Sequence, residues 1–82
     1  MAKTFHLTIA QVGQNIFDGE ASSVTLPGVD GTFTVLANHE AFVSPLKEGD
    51  VKIVTPDGEQ KNITIPANGI AEISSNQATI IL

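Results

Sequence analysis

His39 and Glu40 stand side by side in the stretch GVDGTFTVLANHEAFVSPL, Gly28 to Leu46. An imidazole next to a carboxylate can bind a metal or relay a proton. A metal site needs three or four ligands that converge in space. His6 is the only other histidine, and it falls on the outward phase of an alternating segment. Glu40 is followed by Ala-Phe-Val-Ser, so the H-E-x-x-H helix spacing is not formed. With no cysteine in the chain, disulfides, thiolate zinc sites, thiol nucleophiles and the deaminase zinc pattern are excluded. Ser22, Ser23, Ser44, Ser74 and Ser75 have no G-x-S-x-G elbow around them. No glycine-rich phosphate loop is present. Glu48 with Asp50, and Asp57 with Glu59, flank turns and read as solvated caps rather than acid–base pairs. We therefore expect no catalytic, cofactor-binding or metal residue. His39 reads as a loop residue that is exposed or touches a partner.

The elements that carry these residues are strands. Phe5, Leu7 and Ile9 alternate with His6, Thr8 and Ala10, and the same period recurs at Val24/Leu26, Phe33/Val35, Val51/Ile53 and Ile63/Ile65. Period-two alternation marks a strand with one buried and one wetter face. A helical stripe at i, i+3, i+4, i+7 is missing throughout. Turn residues punctuate the chain at Gly13-Gln14-Asn15, Asp18-Gly19, Pro27-Gly28, Asp30-Gly31, Gly49-Asp50, Pro56-Asp57-Gly58, Asn68-Gly69 and Ser74-Ser75-Asn76. In Thr55-Pro56-Asp57-Gly58, proline presets φ and glycine accepts the positive φ that closes a hairpin. Short strands at such spacing predict a sandwich or barrel. We place about nine, at 3–11, 15–19, 21–27, 31–36, 41–46, 49–55, 59–66, 68–74 and 76–82. The apolar ending Ala78-Thr79-Ile80-Ile81-Leu82 is expected to be paired and packed.

The 82 residues give one domain, 1–82, with 41% hydrophobic and 16% charged residues, an ordered composition. Four lysines, no arginine and a net charge of −5 disfavour a nucleic-acid partner. No run reaches the ~20 apolar residues of a membrane helix, and Met1–Ala10 lacks the apolar run of a signal peptide. The sequon Asn62-Ile63-Thr64 is read as chance. Ala41 to Leu46 mixes a large aromatic with a proline, and fits either a core strand or an interface strip.

Taken in order, several residues form a known pattern: His6-Leu7, Phe17-Asp18-Gly19, V-x-L-P-G-x-D-G from Val24 to Gly31, His39 eight residues on, L-x-x-G from Leu46 to Gly49, and Gly69. This set is similar to the N-terminal β-sandwich domain of the epsilon subunit of F-type ATP synthases, called delta in mitochondria, from about Phe5 to Leu82. The resemblance implies an all-β fold, a flattened sandwich of about nine to ten mostly antiparallel strands. It implies a central-stalk rotor subunit that is no enzyme itself. Such a subunit ties gamma to the membrane c ring during proton- or sodium-driven ATP synthesis. It implies a peripheral place on the cytoplasmic face of the bacterial inner membrane, with no direct membrane insertion. Asp30, Gly31 and Thr32 match the turn that meets the c ring. Many members are acidic where Thr32 stands, which leaves Asp30 and Glu20 as the acidic contacts expected there. Gln11, His39, Glu40, Phe42 and Ser44 match the gamma-facing surface. The family often has P-G-H-A-P-L where this chain has Ala37 to Phe42, and Asn38 can take the left-handed conformation that glycine would supply. Asn68-Gly69 replaces a common Gly-Gly and is itself a favoured tight turn.

Many members continue into a C-terminal helical hairpin that inhibits ATP hydrolysis and in some binds ATP. The sequence ends at Leu82. We expect a short form without that hairpin, without cofactors and without ATP binding. The rival expectation is a free-standing β-sandwich binding module, which would carry a ligand groove and ignore gamma.

Overall fold

The computed structural model describes residues 3–82. The first two positions of the expected 1–82 domain lie outside the described residues. The described residues form nine strands and no helix: β1 (Phe5–Gln11), β2 (Gln14–Ala21), β3 (Ser23–Gly28), β4 (Gly31–Leu36), β5 (Phe42–Leu46), β6 (Gly49–Val54), β7 (Gln60–Ile65), β8 (Gly69–Ser74) and β9 (Gln77–Ile81). All strand pairs are antiparallel except β1 with β9.

Alternation explains the core. Phe5, Leu7 and Ile9 of β1, Val24 and Leu26 of β3, Val51 and Ile53 of β6, and Ala78 and Ile80 of β9 are all buried. They join Val35, Leu46, Ile65 and Ile73 in one cluster. No polar or charged residue among the described residues is buried with them. One hydrogen-bonded path runs β2-β1-β9-β8-β5-β3-β6-β7, with β4 on the other edge of β3. The path bends where β3 changes partner. Its first half pairs β6, from Ser23↔Val54 to Thr25↔Lys52, and its last residue pairs β5 at Gly28↔Leu46. Backbone bonds from Val29 to Pro45 and from Lys47 to Pro27 seal that corner. The β4-β3-β6-β7 half thereby closes over the β2-β1-β9-β8-β5 half, with the apolar faces between them.

The last strand is packed as expected. β9 lies between β1 and β8, and the Leu82 amide donates to the Ala10 carbonyl.

Three of the expected breaks, Asp18-Gly19, Pro27-Gly28 and Gly49-Asp50, lie within strands. Asp18-Gly19 reads as a turn, yet both residues lie inside β2, which runs from Gln14 to Ala21 rather than over 15–19. Asp18 pairs Thr8 and Gly19 pairs Leu7, so the ladder to β1 outweighs the local turn preference. The neighbouring turn falls at Val12-Gly13, where Gly13 has φ 77°.

Candidate functional site

Asn38 ends the β4 chain direction with φ 61°, a left-handed turn that a short amide side chain tolerates. This bend brings His39 back over β5. The His39 and Phe42 rings are 5.2 Å apart and tilted, and His39 Nδ1 lies 3.1 Å from the Glu40 carbonyl oxygen. Phe42 meets Phe33 of β4 edge-on at 5.6 Å. Phe33 in turn lies against Gly28, so a row of rings links the 37–41 loop to the β3–β4 turn. Phe42 is half-buried and packs on the core cluster. Core strand and surface strip meet in this one side chain. Among the described residues, no three His, Cys, Asp or Glu side chains gather as a metal set.

Beside Phe42 opens a groove of about 450 Å³ across the outer ends of β5, β8 and β9. Ala41 and Val43 form one wall, Glu72 and Ser74 the floor, and Gln77 and Thr79 the far side, while the Phe42 ring turns to the core-packed face. The register places Glu72 directly between Val43 and Thr79. Sequence reasoning missed Glu72. It sits on the outward phase of a five-residue alternation, Gly69 to Ile73, where a lone carboxylate looks like ordinary solvation.

The other expected contact residues are scattered. Ser44 shares the inward phase of Phe42 and Leu46, and its hydroxyl reaches the Pro45 carbonyl at 3.3 Å. Gln11 ends β1 next to Ala10, which lies in line with Ile81, Ile70 and Pro45. It therefore occupies the corner of this half diagonally opposite Phe42. Glu20 pairs His6 across β1–β2, accepts the Thr4 hydroxyl at 2.8 Å, and lies 3.5 Å from His6 Nδ1. Asp18 takes the other ring nitrogen of His6 at 2.5 Å. Asp30, Gly31 and Thr32 are exposed at the β3–β4 turn, where Gly31 has φ 137°. The six residues of β3 stand between Glu20 and Asp30, a span of ~17 Å at the usual strand rise. Glu20 and the turn thus lie towards opposite ends of β3.

A diagonal from Phe42 to Gln11 crosses the outer face of β5, β8, β9 and β1. Val43 (68% exposed), Ile70 (45%) and Ile81 (46%) lie along it. Val12 follows at the β1–β2 turn. β1, β2, β5, β8 and β9 contain no lysine or arginine, whereas they carry Asp18, Glu20 and Glu72. The face is apolar with a negative bias. Its signal was present in the sequence as Val43, Ile70 and Ile81, apolar residues on the phase that alternation assigns to water.

Residues 4–82 match the family described as ATP synthase, Delta/Epsilon chain, beta-sandwich domain. The chain is 40% identical over 79 residues to an ATP synthase epsilon chain of Nitratiruptor sp., covering 96% of this chain and 60% of that one. It is 35% identical over 81 residues to that of Clostridium novyi, covering 99% and 61%. The chain thus spans about three-fifths of the length of these relatives. Among solved structures, a chain of the Euglena gracilis mitochondrial ATP synthase (OSCP/F1/c-ring) superposes with a TM-score of 0.88 at 22% identity, covering 95% of this chain and 49% of that one. A chain from the Tetrahymena thermophila ATP synthase central stalk/c-ring gives 0.74 at 13% identity, covering 96% and 63%. At these identities the structural likeness establishes the fold.

Proposed function

The chain belongs to the ATP synthase delta/epsilon β-sandwich family, and on that footing we propose that it is a non-catalytic rotor part joining the gamma subunit to the c ring. Gamma lies along the outer face of β5, β8, β9 and β1, from the His39–Glu40–Phe42 corner to Gln11. The c ring meets the exposed turn Asp30-Gly31-Thr32. Glu20, held by Thr4 and His6 near the start of β3, is the second acidic group of the same proposed contact.

The observation that supports this most is the outer face itself. It exposes Val43, Ile70 and Ile81 together, and no lysine of its strands shields it. Contiguous exposed apolar surface marks an interaction site. The proposed work needs stiffness, and a core at interior packing density transmits strain. It needs no acid, base or nucleophile. The domain would ride peripherally on the cytoplasmic side of the membrane complex. No helix among the described residues is long and apolar enough to cross a membrane.

Co-purification with the gamma subunit tests this. Wild type is expected to form a complex that survives gel filtration, and Phe42→Asp to lose it. Equal binding by Phe42→Asp would remove the corner from the interface. Docking through Asp30 onto charged c-ring loops is expected to weaken as salt rises.

A further inference from the structure

We propose that the groove between Val43 and Thr79 is a socket for an arginine side chain on the protein that covers this face. The inference rests on the proposed gamma-facing surface only for the partner's identity. The socket itself follows from the groove's chemistry.

Glu72 is the one charged residue in the groove. None of the ion pairs among the described residues involves it. Its strand neighbours β5 and β9 contain no cation to neutralise it. A partner that seals the groove would strand this carboxylate in low dielectric unless it brought a positive charge, which is a costly outcome. An apolar side chain from the partner is therefore disfavoured, although Val43 would suit one.

The choice between lysine and arginine follows from the walls. Glu72 offers two acceptor oxygens, and Thr79, Ser74 and Gln77 add side-chain oxygens around it. Five N–H donors in a planar fork suit that spread of acceptors, and a single ammonium does not. The arginine stem would lie along Val43, burying its methylenes as the head reaches Glu72. About 450 Å³ leaves room for the whole side chain.

The test uses the isotopically labelled 82-residue chain and three probes: the N-acetyl methylamides of arginine, lysine and norleucine. The expected result is a saturable set of amide shifts confined to Phe42, Val43, Glu72 to Ser74 and Gln77 to Thr79, strongest with arginine. In Glu72→Gln, arginine affinity is expected to fall by roughly threefold to fivefold, the range of an exposed ion pair. Glu72 is exposed, so this variant should fold. No localised shifts, or equal shifts from norleucine or lysine, would overturn the socket. In a second arm, Glu72→Gln is expected to weaken binding of the gamma subunit by roughly tenfold or more, because the partner's charge is then buried unpaired. If gamma binds both forms equally, the socket is not part of that interface and the proposal falls. If gamma ignores wild type while arginine still fills the groove, the proposed partner is wrong and the socket stands.

Discussion

Gly28 and Phe33 are packed so closely that a Cβ on Gly28 would sit 2.9 Å from the Phe33 ring. The same atom would meet the Gly31 carbonyl oxygen at 2.7 Å. Phe33 is a ring that can shift, but Gly31 is backbone in the adjoining hairpin turn. Gly28→Ala is therefore expected to destabilise the domain by about 1–3 kcal/mol, the usual cost of overpacking. Adding Phe33→Leu should recover only part of the loss, because the carbonyl remains. Urea unfolding of the single and double variants decides this. Full recovery in the double variant would locate the strain in the ring alone.

Ile80 and Ile81 are consecutive and chemically identical, yet Ile80 is fully buried and Ile81 is 46% exposed. Ile80 faces the core between β1 and β8, whereas Ile81 lies on the outer face. Ile80→Ala is expected to cost about 2–5 kcal/mol through lost burial and a residual cavity. Ile81→Ala should stay within about 0.5 kcal/mol for the isolated domain. Ile81→Asp should likewise leave it folded but weaken gamma binding. Comparable losses from the two alanine variants would mean that β9 is in another register.

These two residues also show what the sequence made legible. Alternation in five segments, together with the turn residues between them, is enough to place nine strands, because one buried face per strand forces the period. It recovered the buried partner of each outward residue, as with Leu7 against His6. It did not recover which strands cross from one half to the other. That depends on the single Gly28↔Leu46 pairing, between residues far apart in sequence, with no local signature. Nor did it recover the end of β2, expected at 19 and found at Ala21, since a pairing partner can override a turn preference that is only local. At the site, the sequence groups His39 with Phe42, and their rings meet at 5.2 Å because Asn38 turns the chain. Gln11 and Glu20 were grouped with residues that the topology sets far from them. The groove around Glu72 gathers residues from three strands, and its floor lies thirty or more positions from Phe42 along the chain.

Asn38 and Asn68 are the two non-glycine residues with positive φ among the described residues, at 61° and 71°. Asparagine tolerates that region, and a β-branched residue does not. Asn38→Gly is expected to keep the stability and the His39–Phe42 ring contact. Asn38→Val should cost about 1–2 kcal/mol and move the His39 ring off Phe42. The ring-current shift of the His39 protons reports the second effect independently of stability. If Asn38→Val left that shift unchanged, the loop would be positioned by its later residues and not by the bend.

The β6–β7 turn supplies a pH-dependent contribution. Asp57 accepts a hydrogen bond from the Thr55 hydroxyl and a second from the Glu59 amide at 3.2 Å. The Thr55 bond foremost, and then the Glu59 amide, hold its carboxyl below the ordinary value of 3.8. Both bonds favour the charged form, so the folded state releases the proton more readily than the unfolded chain. The sign follows: the stabilisation is complete above the unfolded value and fades as pH falls through the depressed folded one. Asp57→Asn is therefore expected to be less stable than wild type at neutral pH, with the gap closing in acid below 3.8. Thr55→Val should raise the Asp57 midpoint in an NMR titration and diminish the same gap. Because the turn is exposed, the effect is small, and it is read as a difference between variants across pH rather than as a single midpoint. A gap that stayed constant down to acid pH would assign the turn's stability to Pro56 and Gly58, whose φ of 89° closes the hairpin whatever the charge on Asp57.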